Sequence, residues 1–516
     1  VGLDADGDGV CDRDVADWSA DASLPEGGHR GNIYGLAEED LARVRAAGLG
    51  HAFTWPVDVS GVLLPYGPLE RFLAGSVDDP DVATLQALAR RTVGFGTLEE
   101  MYDWLGLPRF RADEGIFDLP FPAGAGPGDA MGAGLVETEH GPALTFSCAA
   151  CHASELFGRT VMGLTNRAAR ANEFFHLAET FFVDLDGGMF EQLTGATADE
   201  MVLFYRAQQA VPAVGVKVPE VQGLDTSLAQ VSLSLARRAE DAWATRSPEA
   251  ERSPRLNGLE DFVADSKPAV WWTLKYKTRW LSDGSIVSGN PVHTNFLWNE
   301  IGRATDLRAL DAWLRDEQQV VDELTVAVFA TESPRWTDFF PVESLDVEAA
   351  KRGQEAYEAR CADCHGRYHK AWEDGVEGAA ALETVALRYP TRTRAVDVGT
   401  DPQRAEGMRY FAEGLNGLEI SRNLATVVEV QAGYVPPPLD GIWARYPYLH
   451  HGAVPSLCEL LRPAEERSTE FWVGPTADPT TDFDAACVGY PVGAAVPEAW
   501  RSEPRRRFDT SRPGLS

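Results

Sequence analysis

Two pentapeptides constrain this chain of 516 residues more than anything else in it: Cys148-Ala-Ala-Cys151-His152 and Cys361-Ala-Asp-Cys364-His365. A C-x-x-C-H spacing lets two thiols reach both vinyl groups of one porphyrin and sets an imidazole beneath its iron. A zinc site is the competing chemistry. It would draw two nearby Cys-x-x-Cys pairs onto one tetrahedral ion, whereas these motifs are far apart in the chain and each is followed directly by His. The pattern is that of two covalently bound haem c groups, with His152 and His365 as proximal ligands.

Lys and Arg number 46 against 79 Asp and Glu, a net charge of −33, which argues against nucleic acid and anionic membrane surfaces as partners. No apolar run approaches the roughly 18 residues of a membrane-spanning helix. Haem c is attached outside the cytoplasm, so an export signal is expected upstream of Val1, with a periplasmic or secreted destination. Four of the 7 Cys are taken by haem, leaving Cys11, Cys458 and Cys487. The last two fall in one loop-rich region and are expected to form a disulfide in an oxidising compartment; Cys11 is then odd.

Residues 1–30 read as an irregular acidic arm. Asp4, Asp6, Asp8 and Asp12 alternate as oxygen ligands do in calcium loops. Val15 stands where an EF-hand needs a bidentate Glu, so the segment resembles one isolated thrombospondin type 3 repeat. Its alternatives are calcium binding and an acidic linker. Apolar spacing predicts helices near 38–47, 98–106, 173–183, 197–211, 227–245 and 306–330, with a further one over Val347–Cys361 leading into the second motif. Gly/Pro-rich stretches such as Pro120–Gly141 and Tyr434–Gly441 read as irregular. The expected fold is mainly α. It comprises an N-terminal haem domain over 31–335 and a C-terminal cytochrome c-like haem domain over 345–516, both with extensive loops.

The segment Pro438-Leu-Asp-Gly-Ile-Trp443, followed by Pro447-Tyr-Leu-His450-His451-Gly-Ala-Val-Pro-Ser-Leu457, resembles the second domain of the bacterial dihaem cytochrome c peroxidase and methylamine-utilisation superfamily. Pro463-Ala-Glu-Glu-Arg467, Phe471-Trp-Val-Gly474 and Phe508-Asp-Thr-Ser-Arg-Pro-Gly514 make it most similar to the rubber-oxygenase branch. The resemblance covers about 345–516 well, is fair around 144–166 and 275–296, and is weak before 120. It implies that the His152 haem meets O2 or hydrogen peroxide and that the His365 haem relays electrons. It also implies distal and inter-haem aromatics at Trp280 and Phe296. A calcium ion between the haems is implied too, with Asn166 and the backbone around Pro436–Pro438 as the nearest matches. The implied partner is a hydrophobic isoprenoid substrate or a small redox protein. In this branch a Gly-His usually supplies the second haem's distal imidazole after Asp-Thr-x-x-Pro-Gly. Either that His lies beyond Ser516, or His450, His451 or Met408 takes its place. Three functions remain open at this point: oxygenase, peroxidase, and a dihaem electron carrier with both irons six-coordinate.

Overall fold

The computed structural model describes residues 16–75, 80–110 and 128–516. The calcium-loop residues Asp4, Asp6, Asp8 and Asp12, and Cys11, lie outside the described residues. Within them, helices are joined by long loops, and the sheets have only two or three strands.

Helix Glu38–Thr54 begins on three acidic residues that suit the positive end of its dipole, and it stops where Trp55 takes a left-handed backbone conformation. It runs past the expected end at 47 despite Gly48 and Gly50. A Cβ on Gly48 would sit 1.9 Å from the Glu323 carbonyl oxygen, so glycine lets this helix lie directly on Gln318–Phe329. Leu49, Ala52 and Phe53 join Val321, Leu324 and Val328 in the largest core cluster, where burial of each apolar side chain contributes roughly 1.5–3 kcal/mol.

Two expected helices are interrupted, each for a local reason. The 227–245 segment is helical only over Ser227–Ala236. The buried Arg238 then turns inward and donates to the carbonyls of Ile301 (3.1 Å) and Thr305 (2.9 Å). The 306–330 segment divides at Glu317 into Leu307–Asp316, capped by the Asp306 carboxylate, and Gln318–Phe329. The end of the stretch expected to be irregular over Pro120–Gly141 is in fact a strand: Ala133–Thr138 pairs antiparallel with Gly141–Phe146. Its buried and exposed positions alternate, but Ala and Gly at its start weaken the pattern in sequence.

Short 3-10 turns at Trp336–Asp338 and Val342–Ser344 occupy the expected domain boundary. Core contacts cross it freely. Met408, Phe411, Leu415 and Ile420 pack into the same cluster as Leu228, Trp298 and Phe296. Strand Ile286–Ser288 pairs with Val427–Val428. The described part of the acidic arm is docked as well, with Trp18 against Trp280 (6.0 Å between ring centres) and Phe329 (5.6 Å).

Candidate haem sites

The strand Gly141–Phe146 delivers the chain to Cys148, and the single turn Ala149–His152 carries Cys151 and His152 to one side. Two devices hold this turn. Gly132, at φ +102°, lets its backbone approach Ala150, where a Cβ would lie 2.4 Å from the Ala150 Cα. The buried Asn166 donates from Nδ2 to the carbonyls of Ala150 and Gly106, both at 2.8 Å, and accepts from the Ala168 N–H at 2.9 Å. Asn166, matched by resemblance to a calcium site, thus uses its amide to clamp the loop.

Cys148, Cys151 and His152 open onto a cavity of about 280 Å³. Its apolar walls include Trp55, Trp271, Trp280, Val292, Phe296 and Trp298, so the structure brings Trp280 and Phe296 to the same space as the first motif. Helix Pro291–Gly302 presents Val292, Asn295, Phe296 and Asn299 along one stripe, the three- and four-residue spacing of a helix face. Phe296 packs on Trp55 (4.9 Å) and Trp313 (5.5 Å). Charged groups line the cavity too, among them Asp225, Lys267 and Arg404.

The His152 imidazole packs beside Trp271, 5.7 Å between ring centres, and is oriented by a hydrogen bond from Nδ1 to the Ala269 carbonyl oxygen at 2.8 Å. A carbonyl can only accept, so Nδ1 carries the hydrogen and Nε2 keeps its lone pair. Burial holds the ring neutral by pushing its pKa down to about 4. Burial likewise pushes the thiols of Cys148 and Cys151 up to about 11 and 12, so both are protonated.

The second motif repeats this arrangement. Helix Val347–Arg360, capped by Asp346, runs into Cys361, and Gly366 at φ +89° turns the chain away after His365. His365 Nδ1 donates to the Pro437 carbonyl oxygen at 2.8 Å, again leaving Nε2 free, and burial lowers its pKa. The Tyr389 hydroxyl donates to the carbonyl of Pro436, one residue earlier, at 2.5 Å and steadies that loop. Among the described residues no three His, Cys, Asp or Glu gather as a metal site, so the two Cys pairs do not form a shared zinc centre.

His450 and His451 are stacked face to face at 4.0 Å, with Tyr434 on the other face of His450 at 3.7 Å. His451 Nε2 donates to the Ser516 carbonyl at 3.1 Å, and neither Nδ1 has a hydrogen-bond partner. Burial lowers both pKa values, that of His451 to about 4. Met408 is fully buried in the main core cluster. The Ala269 carbonyl, the Asn295/Asn299 pair and the cation at Lys267 escaped the sequence reading, while the Pro436–Pro438 backbone, matched by resemblance to a calcium site, gives its Pro437 and Pro436 carbonyls to His365 and Tyr389. Backbone acceptors have no sequence signature, and the Asn spacing alone does not separate a cavity wall from a solvated face.

Both haem c candidates therefore have the donor set the group requires: two thiols, an imidazole with a free, fixed nitrogen, and at the first site a cavity beside them. A RoxA-like, cytochrome c-like family model matches residues 433–473, the stretch that holds Pro437, His450 and His451. This match supports a RoxA-like cytochrome c, a class that carries covalent haem and does redox chemistry. Two proteins of Sinorhizobium fredii are also similar. The uncharacterized protein y4iJ is 28% identical over 36% of this chain and 35% of its own length. The uncharacterized protein y4iM is 30% identical over 30% of this chain and 35% of its own. The chain thus spans about a third of the length of each of these curated relatives.

Proposed function

We propose that the chain is an exported dihaem c-type oxidoreductase, with one haem on Cys148, Cys151 and His152 and the other on Cys361, Cys364 and His365. The observation that carries this reading is the shared geometry of His152 and His365, each donating Nδ1–H to a backbone carbonyl at 2.8 Å with Nε2 free. Such a contact fixes the tautomer and ring orientation of a metal-binding imidazole. The Cys458–Cys487 disulfide suits an exported protein. No helix among the described residues is long and apolar enough to cross a membrane.

We assign substrate chemistry to the first site and electron relay to the second. When bound, haem supplies one-electron redox chemistry and an iron that O2 or peroxide can reach. The chain's own part is to hold His152, to wall the cavity with Trp280, Phe296 and Val292, and to keep water out. An apolar wall favours a neutral, hydrophobic co-substrate, because a charge brought there would be left unpaired. This supports an oxygenase acting on isoprenoid double bonds, as in the branch the sequence resembles.

One observation favours peroxide reduction. Asp225 lines the same cavity, and burial raises its pKa while its hydrogen bonds to Ser227 oppose the shift. A carboxyl whose pKa is raised is better suited to pass a proton between peroxide oxygens. The deciding assay offers the protein polyisoprene in air and, separately, peroxide with a reduced small cytochrome. Oxygen uptake with carbonyl-ended isoprenoid fragments selects the oxygenase; peroxide-dependent cytochrome oxidation selects the peroxidase. Two low-spin irons with neither activity would leave an electron carrier.

A further inference from the structure

Four buried or half-buried cations gather between the two C-x-x-C-H motifs, and none has a carboxylate at ion-pair distance among the described residues. Three of them hold the 438–447 backbone. Arg445 donates to the Pro438 carbonyl at 2.7 Å, next to the Pro437 carbonyl that receives His365. Lys267 donates to the Arg445 carbonyl at 3.2 Å and to that of Pro447, and it lines the first cavity. Arg167 donates to the carbonyls of Tyr446 (2.6 Å) and Ala444, with its guanidinium 4.3 Å above the Tyr446 ring. The fourth, Lys277, is 7% exposed, and no hydrogen bond to its ammonium occurs among the described residues. Burial and then the charge of Arg445 push its pKa down to about 7.

These groups are under-satisfied. The Arg167 Nη1 is buried without a partner. Asp440 is close enough for its charge to act on Arg445 but makes no ion pair with it. Arg404, also at the first cavity, is already paired with Asp283 at 3.3 Å. An unpaired buried cation is costly, and it persists when something supplies the missing anion. The chain has no shortage of carboxylates, with 79 Asp and Glu against 46 Lys and Arg, yet neither Asp440 nearby nor Asp225 in the first cavity makes an ion pair with any of the four.

We infer that Arg167, Lys267, Lys277 and Arg445 form a cationic bridge that receives the propionate carboxylates of the two haems. The inference rests on the dihaem reading above. Each haem brings two carboxylates, so two haems bring four to meet four cations. The bridge touches both sites: Lys267 opens into the first cavity, and Arg445 sits beside the carbonyl that orients His365. It would seat each porphyrin with its propionate edge toward the other, and its positive charge would raise both reduction potentials by disfavouring the oxidised irons.

The test uses the haem-loaded protein. Haem is counted first, and two equivalents per chain keep the dihaem reading standing whatever the bridge does. Resonance Raman spectra should then show propionate bending modes that shift in D2O. Lys277→Met and Arg445→Met should each weaken that shift and move at least one midpoint potential negative. The charge-keeping Lys277→Arg and Arg445→Lys should hold the potentials near wild type. Unchanged potentials and propionate modes in both Met variants overturn the inference. If those variants do not mature, D2O-insensitive propionate modes in the wild-type protein overturn it. A titration with sodium acetate separates sources: no response is expected, and a saturable shift in potential would mean that the bridge holds a free carboxylate.

Discussion

The Nδ1 of His152 lies 2.8 Å from the carbonyl oxygen of Ala269, 117 residues further along the chain. That carbonyl is positioned by its neighbours: the Thr165 hydroxyl donates to the carbonyl of Pro268 at 2.6 Å. Thr165→Val should free the 268–269 segment and weaken the contact to His152. A less basic imidazole stabilises an oxidised iron less, so the midpoint potential of the haem proposed on His152 should rise while the covalent haem count stays that of the wild type. Potentiometric titration followed at each haem's absorbance checks this, and an unchanged potential would count against the role of Ala269.

Phe296 is 1% exposed and wedged between Trp55 and Trp313. Phe296→Ala should cost about 3–5 kcal/mol of stability by leaving a void in the core. It should also admit water to the cavity and speed carbon monoxide binding to the reduced protein, measured by flash photolysis. Phe296→Leu, which keeps most of the volume, should lose less stability and bind carbon monoxide at close to the wild-type rate.

Cys458 and Cys487 form a disulfide across a sequence separation of 29. Closing a loop of that length constrains the unfolded chain by about 3–4 kcal/mol in the chain-entropy model. Cys458→Ser with Cys487→Ser should lower the unfolding free energy by about that amount in denaturant titrations. Haem spectra at neutral pH should not change, since neither cysteine lines the first cavity.

Burial pushes the His293 imidazole down to about 4, partly opposed by its hydrogen bond to Gln318. Its Nε2 is buried without a partner. The unfolded chain takes up this proton near pH 6.5 and the folded one only near pH 4, so acid favours unfolding between those values. The contribution is complete above pH 6.5 and is lost as pH falls toward 4, by about 3 kcal/mol at most. His293→Gln should flatten that part of the stability–pH curve. Equal slopes for the variant and wild type between pH 6.5 and 4 would refute the assignment.

The two C-x-x-C-H motifs, the helix leading into Cys361 and the partnership of Cys458 with Cys487 were legible in the sequence. The motifs and the helix are written in spacings of a few residues, and the disulfide in the cysteines left over once the two motifs are set aside. Helix starts were legible where acidic residues or an Asp cap mark the first turn, as at Glu38 and Asp346. Their ends were not, because Gly48 answers to Glu323 and Arg238 to Ile301 and Thr305, partners far along the chain. Trp280 and Phe296 were named from resemblance, but only packing brings them into one cavity with Cys148 and His152. The acceptors for His152 and His365 are backbone carbonyls 117 and 72 residues away, which any residue type could supply. The cations around 438–447 read in sequence as scattered Lys and Arg within an acidic chain. Folding alone decides that four of them come together with no carboxylate among the described residues at ion-pair distance, since a cation's cost depends on what surrounds it in three dimensions and not on its neighbours in the chain.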